Sequence, residues 1–178
     1  MGNNLYKTTM TWGLVLGVAW VLVGFASYSM GMIEQPVWLS LLLLLMIAAI
    51  VFIGQRKHRD DDLDGYITYG RAFGAGMLVI LFGAIIYGFY IIMLVKVIDP
   101  TYIDKMLDIT AAKLYEMGYD DDLVEQSLAV SARMMSPLYL LISTLFSAAF
   151  QGVIISLITS VFVKRTKPMF SNDDADSQ

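Results

Sequence analysis

The sequence predicts an all-α membrane protein with four transmembrane helices and a two-helix amphipathic insert between the third and the fourth. Hydrophobic residues make up 57% of the chain and charged residues only 16%, which is more apolar surface than a soluble core of 178 residues can bury. The chain also contains four uncharged stretches of 26, 21, 24 and 30 residues, counted between the nearest charged side chains. Each can cross a hydrocarbon core, because roughly 20 apolar residues in a helix span it.

These stretches place the transmembrane helices at about residues 10–33, 37–54, 70–97 and 138–163. Glu34, Gln35 and Pro36 predict a tight turn, so the first two helices should be antiparallel neighbours. Proline suits the first turn of a helix, where its missing N–H costs nothing. We expect residues 1–178 to form a single membrane domain.

The segment 99–137 is too long to be a loop without secondary structure. Its first half has an apolar face at helical spacing and ends at Gly118, a natural helix C-cap. Its second half opens on a capping box of Asp122 and Glu125 and ends at Ser136 and Pro137. The apolar faces of these two short helices either bind a protein partner or lie on the membrane interface or on each other.

Lysine and arginine predict the orientation of the chain. With both termini in the cytoplasm, eight basic residues lie inside and four outside, which agrees with the positive-inside rule. The eight are Lys7, Arg56, Lys57, Arg59, Arg71, Lys164, Arg165 and Lys167. The insert then lies outside, and the predicted location is the inner membrane of a bacterium.

Small residues four positions apart predict faces where helices approach closely. Gly13 and Gly17 form such a pair in the first span, and Gly70 and Gly74 form another in the third. The fourth span repeats the pattern at Ala148, Gly152, Ser156 and Ser160. These faces favour packing within one four-helix bundle, and a homo-oligomer is the alternative.

One polar side chain is predicted near the middle of a span. Gln151 lies close to the centre of the fourth span, and Tyr87 and Tyr90 in the third span are its candidate partners. It is either part of a polar path or a single interhelical hydrogen bond, worth about 0.6 kcal/mol. No lysine, arginine, acid or histidine lies near the centre of a span, which argues against a proton relay or a carrier of charged solutes.

No motif predicts catalysis. The single histidine, His58, is flanked by Lys57 and Arg59, which predicts that it lies in a solvated loop. The aspartate-rich stretch 60–65 begins like a calcium-binding loop, but its twelfth position is Arg71 where such a loop needs a glutamate. We therefore predict a non-enzymatic protein with no catalytic, cofactor-binding or metal-binding residues. Nucleic acid is an unexpected partner, because the basic residues form no stripe.

The chain resembles an uncharacterised bacterial membrane family, domain of unknown function 4199. The resemblance is carried by "GYITYGRAF" at the start of the third span, "VIDPTYIDKM" at its end, "MGYDDDLVEQSL" in the insert and the small-residue fourth span. It implies a four-helix inner-membrane protein with a helical insert before the last span. It implies no activity.

The sequence thus favours a structural or interaction protein of the membrane, such as an accessory subunit. Its partners would be the lipid bilayer and a protein bound through the 99–137 insert. The alternative is a small transporter or channel for a neutral or weakly polar solute.

Overall fold

The structure is a computed structural model that describes residues 2–32 and 36–167, with side chains from Lys7 onward. The helices are α1 (Gly2–Ser29), α2 (Val37–Asp62), α3 (Tyr69–Met93), α4 (Tyr102–Glu116), α5 (Asp121–Met134) and α6 (Pro137–Val163). One π-helical turn, Leu94–Ile98, extends α3. The predicted fold class is confirmed. The predicted turn at Glu34 and Gln35 lies outside the described residues.

Four of these helices are long and apolar enough to cross a membrane. The candidate spans are Lys7–Ser29, Val37–Asp62, Tyr69–Ile98 and Pro137–Val163. The chain is therefore a multi-pass membrane protein. Helices α4 and α5 contain 15 and 14 residues, or roughly 22 Å of helix, which is too short to span.

Helix α3 lies at the centre of the bundle and packs against α1, α2 and α6. The four spans share one apolar core, to which α1 contributes Leu16, α2 contributes Val51, α3 contributes Val79 and Ile80, and α6 contributes Ile155. Since all four helices bury residues in the same cluster, packing within one chain holds the bundle together.

The prediction that the small residues mark close contacts between helices is confirmed for α1 and α6 and wrong for α3. A Cβ on Gly17 would lie 2.8 Å from Ile86 Cβ, and one on Gly152 would lie 3.2 Å from Ile80 Cγ2, so α1 and α6 approach α3 closely there. Gly70 and Gly74 have no neighbouring atom within 4 Å of such a Cβ. The glycine of α3 that meets α2 and α6 is Gly76, where a side chain would collide with Gln55 and Ser156.

Helix α2 continues two turns beyond the predicted end at residue 54. Gln55, His58 and Asp62 follow one another at helical spacing, and Gln55 and His58 are buried. The charged residues of the same segment lie on the other face and pair along it, Arg56 with Asp60 at 3.5 Å and Lys57 with Asp61 at 3.9 Å. The predicted solvated loop is therefore wrong, because its charges belong to one face of an amphipathic helix.

The predicted two-helix insert is confirmed, and we call α4 and α5 the hairpin. Gly118 has φ +85°; its N–H donates to Tyr115 O, and the N–H of Tyr119 donates to Leu114 O. These two hydrogen bonds form the pattern that commonly ends a helix at a glycine. The N-cap of α5 is Asp120, whose side chain accepts from the N–H of Leu123 at 3.0 Å. The prediction that Asp122 caps this helix is wrong, because α5 begins two residues earlier than expected.

Candidate functional site

The end of the bundle that carries the loop between α2 and α3, residues 63–68, is closed by buried polar contacts, and we call it the loop end. Gln55 is fully buried, and its Nε2 donates to Ala72 O at 3.0 Å and to Ser160 Oγ at 3.2 Å. One side chain of α2 thereby bonds to both α3 and α6. Its Oε1 and Ser156 Oγ have no hydrogen-bond partner among the described residues.

His58 extends this polar layer toward α1. Its Nδ1 lies 2.8 Å from Asp62 Oδ2, the same oxygen that accepts a 2.6 Å hydrogen bond from the hydroxyl of Thr8. The expectation that His58 is solvated is therefore wrong: its side chain is buried and paired. The hydrogen bond from Thr8 to Asp62 joins α1 to α2.

Further contacts close the loop end over α6. The Arg59 guanidinium donates to Val163 O at 3.2 Å and so satisfies a carbonyl at the end of α6. Ile67 and Arg165 exchange backbone hydrogen bonds of 2.9 Å each, and the Arg165 guanidinium lies over the ring of Tyr66. These contacts hold α2 and α6 together at this end.

The aspartates of the calcium-like stretch 60–65 lie in two different settings. Asp60 and Asp62 belong to the last turn of α2, whereas Asp64 and Gly65 make the turn that follows, with φ +53° and +81°. Among the described residues, no group of three or more His, Cys, Asp or Glu side chains could hold a metal ion. The stretch therefore forms the last turn of α2 and the turn that follows it.

At the opposite end of the bundle, which we call the hairpin end, α2 and α6 enclose a cleft. Its volume is about 450 Å³. Helices α1 and α3 complete its walls. The lining residues are Trp20, Val23, Gly24, Ser40, Leu43, Leu44, Ile47, Tyr87, Ser143, Thr144, Ser147, Ala148 and Gln151.

Gln151 and Tyr87, which the sequence predicted to be neighbours, line this same cleft. Gln151 is half-buried, and among the described residues no hydrogen bond joins it to Tyr87 or Tyr90. Tyr90 stacks on Tyr87 with ring centroids 5.7 Å apart, but it does not line the cleft. The expected interhelical hydrogen bond is therefore not formed, and the Gln151 amide is available to the cleft.

Two further hydroxyl groups of the cleft, those of Ser143 and Thr144, offer acceptor capacity. The hydroxyls of Ser143 and Thr144 both donate to Leu140 O, at 3.1 and 2.7 Å, which leaves their lone pairs free. No lysine, arginine, aspartate, glutamate or histidine lines the cleft. Below it, Val51, Val79 and Ile155 fill the core and separate it from Gln55. The cleft can bind an uncharged polar group, and packed apolar residues close it toward the loop end.

A second polar centre, Asp99, fixes the hairpin to the bundle. Its carboxylate accepts from Lys105 Nζ and from the hydroxyl of Thr101, both at 2.6 Å, and from the hydroxyl of Tyr28 at 3.2 Å. The hydrogen bond from Lys105, followed by that from Thr101, lowers the pKa of Asp99 to about 2. Asp99 thereby connects α1, the end of α3 and α4.

We expect Asp99→Asn to loosen the hairpin without unfolding the bundle. The amide loses the ion pair with Lys105, so hydrogen–deuterium exchange in α4 at pH 7 should rise several-fold, while exchange in α3 and α6 should not change. The exposed Asp108 provides the control, Asp108→Asn, which should leave α4 as in the wild type.

The same carboxylate gives the hairpin a pH dependence of defined sign. Because the folded pKa of Asp99 is lowered from 3.8 to about 2, its stabilising contribution is complete above pH 4 or so and is lost as pH falls through about 2. A carboxyl titration by NMR with a midpoint near the ordinary value would contradict this.

Comparison with known proteins identifies one related family. The model of a family described as "Protein of unknown function (DUF4199)" matches residues 11–165. No curated protein and no solved structure matches the chain. The matched range covers the hairpin, three of the spans and all but the first four residues of the first span.

Proposed function

Since the chain belongs to the DUF4199 family, whose function is unknown, we propose a role from its structure: a non-enzymatic interaction protein of the bacterial inner membrane. It acts as an accessory subunit, and the hairpin is the surface that binds its protein partner. Both termini lie in the cytoplasm and the hairpin lies outside, as the distribution of basic residues favours.

The observation that carries this proposal is how little the hairpin contributes to the core. Across the two helices, both fully described, Val124 alone is buried. The hairpin helices pack on each other, and α4 packs on the π-helical end of α3. The two helices, 15 and 14 residues long, add little to the stability of their own fold and are available for a partner.

Helix α5 presents a specific surface for that partner. Leu123, Val130 and Met134 are exposed, with 44 to 53% of each residue's surface accessible. They are seven and four positions apart, so they form one stripe along the helix, which we call the α5 stripe. The face of α5 that includes the buried Val124 is the one turned inward. The α5 stripe is an additional apolar surface.

The charge of the hairpin favours a protein over a lipid surface. Residues 101–136 contain seven acidic and three basic side chains, a net charge of 3 − 7 = −4. Anionic headgroups would repel this charge, whereas a protein with a basic rim around an apolar patch would complement it.

Photo-crosslinking in living cells tests the proposal. A photoreactive amino acid at Val130 should give one discrete protein adduct, and the same group at Glu125, two positions away from Leu123 on the opposite face, should give none. Charge reversal at Asp121 and Asp122 should weaken the Val130 adduct. Adducts with lipid alone, or equal adducts at Val130 and Glu125, would contradict a partner surface on the α5 stripe.

The cleft favours a second candidate function, a small transporter for a neutral or weakly polar solute. Gln151 and Tyr87 line it together with several hydroxyl groups. If the cleft is part of a transport path, Gln151→Leu should abolish flux in liposomes, and Phe150→Leu on the lipid-facing side of α6 should not. A protein that moves no solute, or moves it equally after both changes, would end this alternative.

A further inference from the structure

We propose that the cleft between α2 and α6 holds the polar end of a single uncharged lipid, one that carries hydroxyl and ester carbonyl groups as a diacylglycerol does. The inference is independent of the hairpin and its partner. It uses the same cleft as the transport alternative, but it requires binding and no flux.

The position of the cleft within the membrane points to a lipid. On α6 its lining runs from Ser143 to Gln151, and on α2 from Ser40 to Ile47. Counted from the start of α6, this is roughly 9 to 21 Å along the helix, so the cleft reaches from near one membrane surface toward the middle of the span. A molecule that enters there comes from the hydrocarbon region of one leaflet.

The contacts between α2 and α6 favour an opening of the cleft between these two helices. The polar contacts that join α6 to the α2 segment or its loop, through Gln55, Arg59 and Ile67, all lie at the loop end. At the hairpin end both helices expose large apolar side chains beside the cleft, Leu45 at 70% and Phe146 at 76%. Because no polar contact among the described residues joins the two helices at the hairpin end, we infer that the cleft opens between them there, toward the acyl chains.

The chemistry of the lining selects an uncharged polar group. Tyr87, Ser147 and Gln151 make no hydrogen bond with another described residue, so they can donate to carbonyl oxygens. Ser143 and Thr144 use their protons on Leu140 O and can accept from a hydroxyl. Without a basic side chain in the cleft, a phosphate would be left unpaired in a medium of low dielectric constant.

The volume limits how much of the lipid the cleft takes. About 450 Å³ lies within the ordinary range of ligand sites, roughly 300 to 1,000 Å³. It suffices for a glycerol group with its ester carbonyls and part of a chain. The remaining chain length would lie along the exposed faces of α2 and α6, among lipids.

Photoaffinity labelling in nanodiscs tests this inference. The full chain is reconstituted with a diacylglycerol that carries a diazirine near its ester group, and in a parallel sample with the matching phosphatidylglycerol probe. We expect the diacylglycerol probe to label the α2 and α6 peptides that line the cleft at least fivefold more than the phosphatidylglycerol probe does.

Ser147→Phe provides the decisive variant. Ser147 is exposed on the cleft wall, so a phenyl ring there fills the cleft without entering the core, and labelling should fall at least fivefold. Phe150→Leu, on the same helix but outside the cleft, is the matched control and should label as the wild type does. Thermal unfolding monitored by tryptophan fluorescence confirms that both variants fold. If Ser147→Phe does not fold, Thr144→Val, which removes one hydroxyl and keeps the shape, replaces it and should lower labelling at least twofold.

The outcomes separate this inference from the transport alternative. Labelling confined to the cleft in a protein that moves no solute supports the lipid site and ends the transport proposal. Flux that depends on Gln151, without selective labelling, overturns the lipid site. Equal labelling by both probes, or labelling spread over all exposed faces and unchanged by the cleft variants, also overturns it.

Discussion

Replacing Gly17 by alanine is expected to destabilise the bundle by about 2 kcal/mol, within the range for overpacking a close contact. The added methyl group would lie 2.8 Å from both Cβ and Cδ1 of Ile86. A β-branched side chain cannot turn away easily, because its χ1 rotamer in a helix is nearly fixed. Helix α1 must therefore move away from α3. The measurement is reversible unfolding in mixed micelles, followed by tryptophan fluorescence.

Gly74→Ala is the matched control for this prediction. It makes the same change at the second glycine of a G-x-x-x-G pattern, as Gly17→Ala does, but no neighbouring atom lies within 4 Å of the added methyl group. Its stability should be unchanged or slightly higher, since alanine is the better helix former. Equal destabilisation by the two variants would contradict the packing described for α1 and α3.

Gln55→Glu is expected to cost about 3 kcal/mol or more, the range for leaving a buried charge without a partner. The residue is fully buried, and an ionised carboxylate can donate neither to Ala72 O nor to Ser160 Oγ. It would instead face the oxygen of Ala72 in a medium of low dielectric constant. The result would be a loss of contact between α2 and both of its neighbours at the loop end.

Two variants separate charge from hydrogen bonding at this position. Gln55→Met removes both hydrogen bonds but adds no charge, and it should cost about 1 to 2 kcal/mol. Lys57→Glu places an acid on the exposed face of the same helix, two residues away, and should change stability by less than about 0.5 kcal/mol. If Gln55→Glu were as mild as Lys57→Glu, the buried polar layer would not exist as described.

The fold could be predicted from the sequence because membrane spans depend on a local property. An uncharged stretch of sufficient length must satisfy its own backbone hydrogen bonds in lipid, so the four spans follow from the positions of the charged residues. The hairpin follows from local signals as well, since Gly118 and the aspartates after it mark the end of one helix and the start of the next.

Helix rotation could not be predicted in the same way. Gly13–Gly17 and Gly70–Gly74 are identical as patterns, yet only the first pair contacts another helix. Which face of α3 meets its neighbours depends on side chains distant in the sequence, such as Gln55 and Ser156 around Gly76. A pattern within one helix carries no information about that choice.

The loop end was missed for a different reason. The charges from Arg56 onward predict that α2 ends at residue 54, although Gln55, His58 and Asp62 keep the spacing of one helical face across the same residues. That spacing was the signal that could have found the buried histidine. The sequence contains only a weak signal for the cleft. It is the group of polar residues in the first half of α6, namely Ser143, Thr144, Ser147 and Gln151. Its shape depends on where α2 and α6 separate, which no local pattern shows.

The orientation of the hairpin tests the proposed role most directly, because a partner surface outside the membrane requires the hairpin to be there. The chain contains no cysteine, so single cysteines at the exposed positions Glu125 in α5 and Lys57 in α2 can be labelled without background. We predict that a membrane-impermeant maleimide applied to intact bacterial cells labels Glu125→Cys, and labels Lys57→Cys only after the membrane is opened. Labelling of Lys57→Cys in intact cells, with Glu125→Cys protected, would contradict the account.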